Sequence, residues 1–255
     1  VLIVTAGSRH KHYDRTIQFC KKKCEEYGYK FRVYDLGGLG YGIPVDDPRM
    51  AAKYFTTRCA IKPELIRDTL KETDEEFVVW IDGDATLIGR IDEVEADTSF
   101  DVGVTVRPEA LRKKTHYINA GVMFFRNNQR SKTFVDDWIA AFPPWPPLDA
   151  KTKKLVRGYS DQNALEEGLL LPNIPEPFWD KFQSVHDVHG ARVKILACAE
   201  YNNFWSHNGP EKMKYRPEMK IIHFKGKHWS PKKGITFEGE EMDMLAAYAK
   251  KFLGE

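Results

Sequence analysis

Apolar positions fall first into a β-branched run, VLIVTAG (Val1 to Gly7), that closes on small residues. From Asp14 to Tyr27 they change to helical spacing, with Ile17, Cys20, Cys24 and Tyr27 in register and Gly28 as the stop. Alternation returns in FRVYDL (Phe31 to Leu36), so the first ~36 residues predict a β-α-β unit. The glycine-rich LGGLGYGIP that follows is not a dinucleotide fingerprint, because it comes after the second strand and opens no strong helix; it predicts a mobile loop. Pro63 to Thr73 predicts a helix with proline at its first position. That helix leads into FVVWIDGDATLI (Phe77 to Ile88), a wholly apolar strand that stops at two acids.

Further strands are predicted at FDVGVTVR, INAGVMFFR, VKILAC and MKIIHFKG. Asn128 to Phe142 predicts an amphipathic helix with Phe134, Trp138 and Phe142 on its buried side. FPPWPP is a rigid insert, Ser160 caps a short helix DQNALEEGL, and Glu238 to Leu253 predicts a terminal amphipathic helix docked on the sheet. Strands alternating with helices imply one α/β domain with a mixed, mainly parallel sheet flanked by helices. In such sheets ligands bind at the carboxyl ends of strands, which is where Asp82 and Asp84 fall.

Composition narrows the classes. With 255 residues, 42% hydrophobic and 30% charged, the chain has the make-up of a folded soluble domain. A net charge of +2 gives no case for nucleic-acid binding, and the clusters Lys21 to Lys23, Arg112 to Lys114 and Lys151 to Lys154 read as solvated faces. The four cysteines fit no disulfide, zinc or redox spacing and read as packing residues or inert surface thiols. No apolar run reaches the ~18–20 residues of a membrane span. The start inside a strand without methionine reads as a trimmed fragment, and the lack of Asn-x-Ser/Thr tips an open choice of compartment towards the cytoplasm over the Golgi lumen.

Four stretches carry candidate chemistry. Asp82 and Asp84 flank Gly83, and residues two apart on a strand share a face, so both carboxylates can aim at one point. Carboxylates that close repel, and a hard divalent cation is the usual remedy; an N-cap and a turn aspartate is the plainer alternative. In KIIHFKGKHW, His223 falls late in a strand with Lys225 on its face and Lys227 beyond Gly226. Such a set suits a metal-bound diphosphate, with histidine as ligand and lysine as countercharge; a structural histidine is the alternative. In YINAGVMFF, Asn119, Ala120 and Gly121 permit close approach of a ligand to backbone, or make a tight strand entry. In YSDQNAL, Asp161 and Gln162 open a capped helix and are ordinary first-turn residues taken alone.

In this order the four stretches resemble the GT-A glycosyltransferases, and most closely the retaining, glycogenin-like and galactosyltransferase branch, from the first strand to about Trp229. The resemblance implies one Rossmann-like GT-A domain over 1–255, with a nucleotide-binding half (1–88) ending in the DxD motif and an acceptor-binding half (89–255). It implies Mn²⁺, with Mg²⁺ as a substitute, held on the donor diphosphate by Asp82, Asp84 and His223. It further places Asn119 on the sugar, Asp161 and Gln162 beneath the anomeric centre, and Thr5, Ala6 and Gly7 against the base. Gly83, Ala120, Gly121, Lys225 and Gly226 join the donor site, and Lys62 reaches the donor as a basic residue does in relatives. HFKGKHW departs from the family's His-x-x-Gly-x-x-Lys-Pro-Trp by two residues and the proline, so Lys227 is the first choice of countercharge and Lys225 the second. The implied partners are a nucleotide-diphosphate sugar donor and a carbohydrate or glycoconjugate acceptor, the latter stacked on rings such as Trp145, Trp179, Trp205 or Trp229. Two alternatives stand beside this one. VVWIDGDATL also fits a haloacid-dehalogenase-like phosphatase with Asp82 as nucleophile and Asp84 as general acid, and the same fold can bind sugar or nucleotide without turnover.

Overall fold

The computed structural model describes residues 1–7, 11–36, 61–107, 116–142, 160–174, 181–204 and 218–223. The strands are β1 (Leu2–Gly7), β2 (Lys30–Asp35), β3 (Phe77–Ile81), β4 (Ala85–Leu87), β5 (Val102–Val106), β6 (Ile118–Arg126), β7 (Val185–Val188), β8 (Ala191–Ala197), β9 (Asn203–Phe204) and β10 (Ile221–His223). The helices are α1 (Lys11–Tyr27), α2 (61–72), α3 (Asp92–Ala96), α4 (Gln129–Ala140), α5 (an α turn Asp161–Asn163 continued as a π-helix Ala164–Leu170) and α6 (Cys198–Tyr201).

Among the described residues the strands form a seven-stranded sheet in the order β2-β1-β3-β6-β5-β8-β7 and a small sheet β4-β10-β9. In the large sheet β2, β1, β3, β5 and β8 run one way, while β6 and β7 run the other. The central strands are buried on both faces, which is why β3 and the Ala120 to Phe125 run of β6 are continuously apolar rather than alternating. Val78 and Trp80 of β3 pack with Leu65 and Leu70 of α2, Phe134 and Trp138 of α4 and Leu165 of α5. Phe77, Val79 and Ile81 face the opposite way, towards Cys20 and Cys24 of α1, Val94 of α3, Tyr201 of α6 and Leu87 and Ile221 of the small sheet. Burying each such large side chain contributes about 1.5–3 kcal/mol, so the two clusters hold the strand ends rigidly.

Several expectations shift. α1 opens at Lys11 rather than Asp14, and Lys23 is buried against Glu26 at 2.7 Å instead of solvated, because it lies on the inner side of that helix. The chain is already helical at Ile61, whose side chain is buried in the core, so Pro63 is not the first helical residue. Asn128 accepts from the Ser131 N–H at 3.0 Å as the α4 cap, and Phe142 lies past the helix end. Cys198 opens α6 rather than ending a strand. The buried Cys20 and Cys24 are packing residues, as expected. The glycine-rich loop from 37 on, the prolines and Trp145 of FPPWPP, the clusters Arg112 to Lys114 and Lys151 to Lys154, Trp179, Trp205, Trp229 and the Glu238 to Leu253 helix lie outside the described residues.

Candidate active site

Past Ile81 the strand ends, and Asp82 and Asp84 sit in a tight turn in which the Ala85 N–H donates to the Asp82 carbonyl at 2.8 Å. The spacing predicts that a shared strand face brings the two acids together; the turn does so instead. Gly121 of β6 anchors it, its carbonyl accepting from the Asp82 N–H at 2.8 Å. The chain then runs on as β4, and β10 pairs with it antiparallel so that His223 stands opposite Ala85. That register brings His223 Nε2 to 3.0 Å from Asp84 Oδ1. Ligand atoms of Asp82, Asp84 and His223 all lie within 4.8 Å of one another. Two carboxylates and an imidazole with a held ring are a donor set that fits a divalent cation such as Mn²⁺ or Mg²⁺.

Close approach explains Gly121. A Cβ built there would stand 2.6 Å from His223 Nδ1 and 3.1 Å from Asp82 Oδ2, so any side chain would enter the ring's space. Two residues earlier, Asn119 is buried; its carbonyl accepts from Thr105 Oγ1 at 2.8 Å and from Asn202 Nδ2 at 2.9 Å. Its own Nδ2 has no hydrogen-bond partner among the described residues, nor has the buried Thr5 Oγ1 at the end of β1. Unsatisfied buried donors of this kind are costly and rare, and both flank the strand that delivers Asp82.

Lys62 of α2 completes the centre. Its Nζ lies 2.8 Å from Asp82 Oδ1 and 2.6 Å from Asp161 Oδ2, and donates to the Ala120 carbonyl at 3.1 Å. Burial acts to lower its pKa, but the two carboxylates outweigh that and hold the ammonium above the usual lysine range. For Asp82 burial acts upwards, yet Lys62 and His223 hold it below the usual carboxylate range. Trp80 Nε1 also donates to Asp82 Oδ1, at 2.9 Å. Asp161 is fixed from behind: Trp138 Nε1 donates to its carbonyl at 2.9 Å, and Ser160 N–H and Oγ each donate to Asn163 Oδ1 at 3.0 Å across the helix start. Gln162 follows in that turn, half-buried. One turn on, buried Glu166 accepts from the Ile118 N–H at 2.8 Å and so ties the π-helix to the entry of β6.

The structure thus gathers Lys62, Asp82, Gly83, Asp84, Ala120, Gly121, Asp161 and His223 at one place, with Asn119 beneath and Thr5, Ala6 and Gly7 closing the neighbouring strand β1. Lys225, Gly226 and Lys227 lie outside the described residues. Thr105, Asn202, Trp138 and Glu166 are contributors that residue spacing does not single out, since each acts through a contact between distant segments, and Trp80 adds a local bond to Asp82 two residues on.

The acid pair and the imidazole stand at a strand end of a mixed α/β sheet, the place where such folds bind ligands. Residues 78–235 match the model of the nucleotide-diphospho-sugar transferases, and the chain belongs to that family. Its fold is that of a glycosyltransferase involved in glycosylation of the major capsid of PBCV-1 (14% identity, 96% of this chain and 98% of that one, TM-score 0.56). An active-site mutant of LgtC is similar over 97% of this chain and 96% of its own (13% identity, TM-score 0.50). The glycosyltransferase GlyE of Streptococcus pneumoniae is similar over 98% of this chain and 64% of its own (13% identity, TM-score 0.50). No curated protein sequence matches. The chain is a glycosyltransferase of GT-A fold, which sets aside the phosphatase alternative. No helix among the described residues is long and apolar enough to cross a membrane.

Proposed function

We propose that the protein moves a sugar from a nucleotide-diphosphate donor to a hydroxyl of a carbohydrate or glycoconjugate acceptor, with metal dependence and with retention at the anomeric carbon. The observation that carries this is the convergence of Asp82, Asp84 and His223 beside an ammonium shared by Asp82 and Asp161. Asp82, Asp84 and His223 hold Mn²⁺, with Mg²⁺ as a weaker substitute. When bound, the cation supplies Lewis-acid charge to the departing diphosphate.

The chain's own residues do the rest. Asn119, whose Nδ2 has no partner among the described residues, orients the donor sugar, while Ala120 and Gly121 let it lie against β6. Thr5, Ala6 and Gly7 receive the base, with the Thr5 hydroxyl, which has no partner among the described residues, as a polar contact for it. Asp161 and Gln162 stand beneath the anomeric carbon, where a fixed carboxylate stabilises the positive charge that grows as the leaving group departs. Retention is our preference because the helix start bearing Asp161 and Gln162 resembles that of the retaining branch. Lys227, or Lys225 in its place, countercharges the leaving diphosphate.

A thermal-shift panel of nucleotide sugars with and without Mn²⁺ tests the reading, because a ligand that binds only the native state raises apparent stability. Stabilisation by one nucleotide sugar that requires Mn²⁺ is expected. Equal shifts in EDTA would show that the acids hold no metal.

A further inference from the structure

Asn202, wholly buried at the end of α6, closes a hydrogen-bond network beneath His223. Its Nδ2 lies 2.9 Å from the Asn119 carbonyl and 2.8 Å from Thr105 Oγ1, and its Oδ1 lies 2.8 Å from His223 Nδ1. The directions follow from one atom. A backbone carbonyl only accepts, so the amide atom that faces Asn119 must be the nitrogen. The Thr105 hydroxyl uses its single hydrogen on that same carbonyl, at 2.8 Å, and so it too accepts from Asn202. The amide oxygen is left for His223, and Nδ1 must carry the proton and donate. Nε2 is left without a proton facing Asp84 Oδ1, 3.0 Å away, and two acceptors that close need a cation to satisfy both lone pairs.

We infer that Asn202 is a positioning residue of the metal site: it sets the His223 tautomer and ring plane so that Nε2 is the ligand atom. The inference rests on the reading of Asp82, Asp84 and His223 as metal ligands, and adds the group that prepares one of them. Aspartate could accept from the same imidazole, but it would lose both donors and set a carboxylate oxygen against the Asn119 carbonyl. The task therefore requires an amide, with an acceptor at one end and donors at the other. An outer partner of this kind is worth roughly 10–100-fold in metal affinity.

The direct test is ¹⁵N NMR of the histidine-labelled, metal-free wild-type protein at a pH above the imidazole range. The Nδ1–H tautomer at His223 is expected, and the Nε2–H tautomer overturns the inference without recourse to any variant. Asn202→Ala is then compared with wild type by electron paramagnetic resonance of free Mn²⁺. A roughly 10–100-fold weaker Kd with a mixed His223 tautomer is expected; an unchanged Kd and tautomer overturn it. The Nδ1–H tautomer in a wild-type protein that binds no Mn²⁺ would instead refute the metal reading beneath it.

Discussion

Gly121→Ala is the smallest change that reaches the acid cluster. The new Cβ would stand 2.6 Å from His223 Nδ1, closer still to Cε1, and 3.1 Å from Asp82 Oδ2. Relaxed contacts lie at about 3.5–4.0 Å, so the ring must move by about 1 Å or more. It is buried, held by Nδ1 on Asn202 at 2.8 Å and hemmed in by Asp84, whose Oδ1 lies 3.0 Å from Nε2. Moving it forfeits a hydrogen bond of about 1 kcal/mol and adds overpacking of about 1–3 kcal/mol. A loss of about 2–4 kcal/mol corresponds to a fall in Tm of roughly 4–16 °C for a chain of this size. Displacing a ligand ring should also weaken Mn²⁺ binding at least roughly tenfold. Thermal melts in EDTA followed by a Mn²⁺ titration read both effects. An alanine variant with wild-type Tm and wild-type Mn²⁺ affinity would refute the packing argument, and with it the claim that Gly121 exists to admit His223.

Lys62→Met takes the ammonium from both Asp82 and Asp161, and breaking a buried pair of this kind costs about 3–5 kcal/mol; melts should show the loss in EDTA and partial recovery in Mn²⁺, and equal Tm values in EDTA for variant and wild type would count against it. For Asp101, burial acts upwards, but bonds from Arg192 and Asn128 win and hold its pKa at about 2, below the ordinary 3.8. A depressed carboxyl stabilises the fold above about pH 4 and loses that contribution, about 2 kcal/mol, as pH falls towards 2. Urea midpoints between pH 5 and 2 should therefore fall less steeply for Asp101→Asn than for wild type, and parallel slopes would contradict the assignment. Glu166→Ala strands the Ile118 N–H and should cost about 1–3 kcal/mol in chemical denaturation, whereas Glu166→Gln keeps an acceptor and should cost much less.

The large sheet was legible because burial on both faces leaves a plain trace, the unbroken apolar runs of β3 and β6. Asp82, Asp84 and His223 were legible as residue types at strand ends, but the reason they meet was not. Spacing suggested a shared strand face, while the structure uses a turn closed by an i to i+3 hydrogen bond from Ala85 to Asp82. The pairing of β4 with β10 joins segments far apart in sequence through strands of three residues, too short to show a period of their own. Asn202 was invisible for a related reason. An asparagine in YNNF looks like a turn residue, and only the fold puts its amide between a carbonyl, a hydroxyl and an imidazole. The π-helix after Asp161 likewise follows from packing and from Glu166 reaching Ile118, since ALEEGLL by itself reads as an ordinary helix.

The central claim is metal-dependent transfer from a nucleotide sugar at Asp82, Asp84 and His223, and slow donor hydrolysis measures it without knowledge of the acceptor. Nucleoside diphosphate release should be followed by chromatography across a panel of nucleotide sugars, in Mn²⁺ and in EDTA, for wild type and Asp84→Asn. The account predicts release from at least one donor in Mn²⁺, abolished by EDTA, restored by added Mn²⁺ and lost in Asp84→Asn. Release that proceeds unchanged in EDTA, or survives Asp84→Asn intact, contradicts it.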